Sequence, residues 1–223
     1  MDQTTGGLFI SVESSPAMEE PRWLHWARQL ETIAQNGLTF ARDPYDRMRF
    51  EQVREIAREM LGHNLDWPAE KVGPLFEHEK GYATPKVDVR GVVFRDGKIL
   101  MVREKQDGLW TLPGGWADVG EPLSTSVTRE IVEESGFQTR AIKVLAFYDR
   151  SRHAHPPSIF HSYKIFVLCE ITGGEATPSM ETTEVGFFSE DNLPEVSVQR
   201  TTEAQIHRMF EYLRHPDTPT DFD

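Results

Sequence analysis

Cysteine is almost missing from this sequence. Cys169, the single one, lies in the apolar run Phe166–Cys169, so an intrachain disulfide is excluded and the thiol reads as a small buried hydrophobe rather than a nucleophile. No stretch approaches the roughly 18 apolar residues of a membrane span, and Met1 to Gly7 carry no basic region of the kind a secretory signal has. A cytoplasmic location with no membrane partner is the expectation. Basic residues are also short: 24 Lys and Arg face 36 Asp and Glu, for a net charge of −12. A generic nucleic-acid binder relies on Lys and Arg to neutralise phosphates, so a sequence-specific nucleic-acid partner is not expected. An acidic protein that handles phosphates needs a metal to mediate. Internal repeats are absent, and 38% hydrophobic residues supply enough apolar material for a core.

Residues 1–18 are rich in Gly, Ser, Thr and Pro and read as a flexible tail. From Glu19 to Asn36, Trp23, Trp26, Ala27, Leu30, Ile33 and Ala34 follow helical spacing, with Gly37 as the expected stop. Asp43-Pro44 offers a cap and a first-turn proline for a second helix, whose apolar stripe (Met48, Val53, Ile56, Ala57, Met60, Leu61) ends at Gly62. Between Glu19 and Leu61 seven Arg meet eight Asp or Glu, which disfavours a DNA-reading hairpin. Residues 63–85, with Pro68, Gly73, Pro74 and Pro85, read as a linker. Strands are expected over Lys86–Arg95, Ile99–Val102, Ala141–Tyr148, Tyr163–Glu170 and Val185–Ser189, with Asp96-Gly97 as a hairpin turn. Thr202–Gln205 is a capping box opening a last helix through Ile206, Met209, Phe210 and Leu213. The fold class is α+β: a mixed sheet covered on both faces, preceded by a small all-α domain. The expected division is tail 1–18, helical domain 19–78 and catalytic domain 79–223.

A helix from about Pro122 to Ser135, stopped by Gly136, puts Glu130, Glu133 and Glu134 on one face at i, i+3 and i+4. Each like-charge pair costs about 0.2 to 0.5 kcal/mol, and the last turn of a helix favours cations. Local rules broken in this way mark a functional site. Leu123, Val127 and Ile131 bury the flank of the same helix. Clustered carboxylate oxygens suit a hard divalent cation, Mg²⁺ or Mn²⁺.

Residues 115–137 carry Gly115, then Glu121, then Arg129-Glu130-Ile131-Val132-Glu133-Glu134-Ser135-Gly136-Phe137. The segment resembles the Nudix box: G, five residues, E, seven residues, R-E-U-x-E-E-x-G-U with U aliphatic or aromatic. Every specified position is filled, a match that chance supplies in roughly one chain per million. The resemblance implies an α/β/α sandwich with metal ligands at Glu130, Glu133 and Glu134 and the backbone carbonyl of Gly114. It places Arg129 among the carboxylates, holding them by hydrogen bonds. A general base outside the box is expected at Glu181 or Glu184. The glycines of Pro113-Gly114-Gly115 allow phosphate or metal close to the backbone, Gly115 on the substrate side.

Further similarity, in Lys86–Phe94, Leu109–Gly120, Phe187-Phe188, Leu193-Pro194 and Asp43–Asp46, points to a bacterial branch of ADP-ribose or CDP-choline pyrophosphatases whose helical domain contributes to a homodimer. The implied substrate is a nucleoside diphosphate linked to a second group, cleaved to a nucleoside monophosphate and a phosphorylated leaving group. Such a substrate needs cations for its diphosphate, expected at Arg90, Arg103, Arg150 and Arg152, and an aromatic for its base, expected at Tyr148 with Phe160, Tyr163, Trp110 and Trp116 as further candidates. His153, His155 and His161 flank Pro156-Pro157 and are weaker candidates. Two alternatives stand beside this reading: a nucleoside triphosphate or RNA-end hydrolase of the same fold, and a catalytically silent nucleotide-binding regulator. Three mutually repelling Glu argue against the silent module.

Overall fold

The computed structural model describes residues 20–77 and 79–223, so the expected tail over 1–18 lies outside the described residues. These residues divide into two compact units: the described residues of 20–85 with Pro156–His161, and Lys86–His155 with Ser162–Asp223. No helix among the described residues is long and apolar enough to cross a membrane.

The first unit contains α1 (Arg22–Phe40), α2 (Pro44–Leu65) and α3 (Ala69–Glu77). Asp43 caps α2 by accepting the amides of Tyr45 at 2.9 Å and Asp46 at 3.1 Å, with Pro44 in the first turn as expected. Three expectations need correction. Gly37 does not stop α1, which runs on to Phe40; a Cβ at Gly37 would stand 2.3 Å from the Phe50 ring, so this glycine serves close packing of α1 on α2. Gly62 does not stop α2, which ends at Leu65 with Asp66 in the left-handed region at φ 52°. Residues 63–85 are not a plain linker, because α3 forms there despite Pro74. Burial of Val72 and Phe76 against Leu24, Ala27, Leu61 and Ile159 outweighs the proline's missing N–H. Ile159 belongs to the excursion Pro156–His161, which is tied into this unit by Arg28 Nη1 donating to the Ser158 carbonyl at 3.1 Å and by the Phe160 ring 5.7 Å from that of Phe76.

The second unit is a mixed sheet of β1 (Lys86–Arg95), β2 (Lys98–Glu104), β3 (Trp110–Thr111), β4 (Phe137–Asp149), β5 (Ser162–Gly174), β6 (Thr182–Phe188) and β7 (Asp221–Phe222), in the order β3-β2-β1-β5-β4-β7 with β6 on β2. Helix α4 (Leu123–Ser135) buries Val127 and Ile131 against Val89, Val93 and Val167 on one face. Helix α5 (Glu203–Arg214) buries Ile206, Met209 and Phe210 against Val92, Met101 and Phe166 on the other. The expected α/β/α sandwich is therefore the observed one. Asp96 and Gly97 both have positive φ, 52° and 74°, as a two-residue hairpin turn with matching twist requires. Cys169 is buried, its thiol pushed up to about 12 by that burial.

One departure from regular pairing creates the site. After Phe94↔Ile99, β1 and β2 separate, and the chain 110–117 fills the wedge between them. Trp110 and Thr111 pair with Arg103 and Val102 of β2. The Val89 amide then donates to the Gly115 carbonyl and the Gly91 amide to the Pro113 carbonyl, each at 2.8 Å. Pro113–Gly115 is thus held on β1 at the point where the sheet opens.

Candidate active site

Gly114 has φ +142°, and a Cβ there would lie 2.0 Å from the Val89 carbonyl oxygen, so the turn admits only glycine. Its amide donates to Glu134 Oε2 at 2.8 Å, which ties the wedge to the last turn of α4. The Glu130 carboxylate comes next along the loop, 3.2 Å from where a Gly115 Cβ would stand. Helix α4 is fixed from a third side by the Thr182 hydroxyl, which donates to the Glu134 carbonyl at 2.8 Å. Its C-terminus is closed by Gly136 in the left-handed region at φ +78°.

The three glutamates are not equivalent. Glu134 is 5% exposed, and burial raises its carboxyl to about 8; Arg90 opposes the rise, while Glu104 and Glu130 add to it. Glu130 is raised in the same sense, chiefly by burial. Glu133 turns outward to Arg129, 2.8 Å away. Arg129 gathers four acids: beside Glu133 it meets Asp118, Glu121 and Glu130, each at 3.1 Å. In this arrangement no three His, Cys, Asp or Glu side chains among the described residues converge as a metal-binding group. The donor chemistry nonetheless fits a hard cation: the buried Glu134 and the part-buried Glu130, both raised chiefly by desolvation although Arg90 and, at Glu130, Arg129 oppose the rise, lie beside an open glycine backbone.

Glu104, at the end of β2, was not singled out by its sequence context and belongs beside this cluster. It is buried, its carboxyl raised by that burial, and its charge adds to the rise at Glu134. Arg200 Nε meets it at 3.1 Å and Arg200 Nη1 also reaches Asp107 at 2.8 Å. A strand-end Glu after Leu-Met-Val-Arg carries no local signal; only the wedge brings it to α4. Glu181 is exposed one residue before Thr182, its carbonyl accepting the Lys105 amide at 2.9 Å. Glu184 pairs instead with Arg103 Nη1 at 2.6 Å across β2 and β6.

The other candidates separate by burial. Arg103 and Arg152 reach the surface, whereas Arg90, Arg150 and Tyr148 are buried. Tyr148 donates its hydroxyl to Asp221 at 2.8 Å and stacks its ring 4.0 Å from that of His153. His155 is buried, its pKa held well below the ordinary value by burial, with Nδ1 2.7 Å from the Val198 carbonyl oxygen. Tyr163 packs on Phe147 and Trp110 on Phe188, while Trp116, facing Asp88 across the wedge, is 44% exposed. Phe160 and His161 belong to the other unit.

Two family profiles match the chain: one described as a UDP-X-like, N-terminal oligomerisation domain over residues 21–76, and one described as a NUDIX domain over residues 84–211. A Bacillus subtilis (strain 168) protein named "Putative ADP-ribose pyrophosphatase YjhB" is 45% identical over 204 residues, 92% of this chain and 98% of its own. A crystal structure of a UDP-X diphosphatase aligns at 30% identity and TM-score 0.59 over 92% of this chain and 100% of that one. A crystal structure of an ADP-ribose pyrophosphatase from Streptococcus suis 89-1591 aligns at 40% identity and TM-score 0.58, over 63% of this chain and 100% of that one.

Proposed function

The chain belongs to the Nudix family, and on that footing we propose that it is a metal-dependent pyrophosphohydrolase acting on a nucleoside diphosphate linked to a second group, of the ADP-ribose or CDP-choline type. The products are a nucleoside monophosphate and a phosphorylated leaving group. The observation that carries this reading is the Gly114 amide on the Glu134 carboxylate, with Glu130 beside Gly115. It sets one buried and one part-buried acid against a backbone that a phosphate can approach. The names of the relatives, ADP-ribose pyrophosphatase and UDP-X diphosphatase, support the same type of bond.

Glu130, Glu133, Glu134 and the Gly114 carbonyl are the groups we assign to hold Mg²⁺ or Mn²⁺. Such a cation supplies charge neutralisation for the phosphoryl oxygens and a more acidic water nucleophile. Arg129 orients Glu130 and Glu133 from behind. Glu181 is the better placed base: its neighbour Thr182 is tied to Glu134, whereas Glu184 is engaged by Arg103. Arg103, Arg152 and the Gly115 backbone meet the diphosphate, and the exposed face of Trp116 receives the base, whereas the buried Arg150 and Tyr148 are given no contact with substrate. The helical unit forms a homodimer: Trp26, Ile33 and Phe40 recur every seventh residue on α1 and are half-exposed or more, as are Tyr45, Met48 and Ile56 on α2.

The test is chromatographic product analysis with Mg²⁺ on ADP-ribose, CDP-choline, a UDP-linked sugar, NADH and nucleoside triphosphates, for wild type and Glu134→Gln. Release of a nucleoside monophosphate by wild type alone is the expected result. Preferential triphosphate cleavage would move the substrate to the other class, and nucleotide binding without cleavage under either metal would overturn the enzyme reading.

A further inference from the structure

Arg90 is expected to meet the diphosphate, yet its side chain is buried and all three of its nitrogens donate inside the protein. Nε and Nη2 donate to the two oxygens of Asp88, both at 2.9 Å, and Nη1 donates to the Leu112 carbonyl at 3.1 Å. Lys164 Nζ, on the neighbouring strand, gives Asp88 a third donor at 2.7 Å. All three side chains are buried. The register sets Asp88 beside Lys164 across β1 and β5, with Arg90 two residues further along β1 opposite Phe166. Replacing such an internal ion cluster by apolar residues is commonly neutral or stabilising, so stability does not explain it.

We propose that Asp88 is a positioning residue for the acid cluster: it clamps Arg90 on the Leu112 carbonyl, two residues before Gly114, and keeps the guanidinium off the carboxylates that hold the metal. Glu134 and Glu104 are the next anions that Arg90 faces after Asp88. A guanidinium this buried does not stay unpaired. Released from Asp88, it turns to Glu134 or Glu104, occupies oxygens a cation needs and loosens the Leu112–Gly114 turn. The bidentate fork supplies the restraint, because it fixes both the position and the plane of the guanidinium. Burial works to raise the Asp88 carboxyl, but Arg90 and Lys164 outweigh it and hold the group ionised well below the usual carboxylate range.

The inference rests on the metal reading above, and the experiment separates the two. Mn²⁺ binding to the full-length, substrate-free protein is read from the electron paramagnetic resonance signal of free Mn²⁺ for wild type, Glu134→Gln, Asp88→Asn, Lys164→Met and Arg90→Lys. Asp88→Asn is expected to weaken Mn²⁺ binding roughly 10- to 100-fold. At saturating Mn²⁺ it lowers kcat and leaves KM unchanged, since Asp88 touches no substrate. Lys164→Met disturbs the same interior but leaves the fork whole, and is expected to bind Mn²⁺ as wild type does. Wild-type binding by Asp88→Asn, or equal weakening by Lys164→Met, overturns the proposal. Should Asp88→Asn fail to fold, Arg90→Lys, which keeps the charge but loses the fork, must show the same weakening, and wild-type binding by that variant overturns the proposal. If Glu134→Gln itself binds Mn²⁺ normally, the metal reading fails; if Glu134→Gln loses Mn²⁺ and Asp88→Asn does not, only the positioning role falls.

Discussion

The Gly114 amide and the Glu134 carboxylate, 20 residues apart in sequence and 2.8 Å apart in space, join the wedge that opens the sheet to the helix carrying the acids. The bond exists only while Gly114 keeps its φ of +142° with Val89 close behind it. Gly114→Ala forces the loop off β1 and moves the carboxylate's anchor. A shift of about 1 Å in reacting groups lowers turnover on the order of 100-fold, and a loss of that size is expected in kcat/KM together with a lower Tm. Wild-type kinetics for Gly114→Ala would show that the turn has no hold on the site.

Glu134 gives the metal-free protein a pH-dependent stability. Burial first, then Glu104 and Glu130, raises its folded-state carboxyl from 4.5 to about 8 against the opposing pull of Arg90. Between those values the folded state holds a proton that the unfolded chain has lost, so stability falls as pH rises. Thermal melts in chelator should show the Tm of wild type falling relative to that of Glu134→Gln between pH 5 and pH 8, whereas His155, held below its ordinary value, and Lys164, lowered to about 7, add stability in both proteins as pH rises. Glu130 and Glu104, raised in the same sense, leave some slope behind. Added Mg²⁺ or Mn²⁺ should restore stability mostly at the alkaline end, where the carboxylates are ionised. A Tm difference between wild type and Glu134→Gln that stays constant with pH in chelator would contradict the raised Glu134 carboxyl.

Arg129 bonds with acids on three sides, and only a planar fork reaches them together. Arg129→Lys retains the charge but not the geometry. Loss of an outer partner of metal ligands lowers affinity or activity about 10- to 100-fold, which is the expected fall in activity at limiting metal, partly recovered at high metal concentration. Full activity at limiting Mg²⁺ would remove Arg129 from the positioning of Glu130 and Glu133.

Periodicity made the two long helices, the main strands and both faces of the sandwich readable, because each buries one continuous stripe or alternating face. The acid box was equally visible, since i, i+3 and i+4 spacing in one helix settles which carboxylates share a face. Tertiary contact decided the rest. Helix α3 looks like a linker because Pro74 and Gly73 hide Val72 and Phe76, whose burial needs Leu24 and Leu61 from elsewhere in the chain. Gly37 looks like a stop because the Phe50 ring that requires it lies on another helix. Glu104 and Asp88 look like ordinary strand charges until the β1–β2 wedge brings Glu104 to the acid cluster and the β1–β5 register brings Asp88 to Lys164. Arg90 and Tyr148 were readable as polar groups near the site, but their direction, inward to Asp88 and Asp221, was not.

The apolar stripe of α1 predicts assembly rather than core packing. Trp26, Ile33 and Phe40 recur at seven-residue steps on the side of the helix opposite Leu24, Ala27 and Ala34, which are fully buried. A charge on the exposed stripe leaves the internal packing of the unit intact, so Ile33→Asp should keep its helical circular dichroism and its Tm at low protein concentration. In light scattering after size exclusion, wild type should elute at the mass of two chains and Ile33→Asp at the mass of one, because an unpaired carboxylate does not remain in an apolar interface. A wild-type monomer at micromolar concentration, or a variant that still pairs, would mean that this stripe is not where two copies meet.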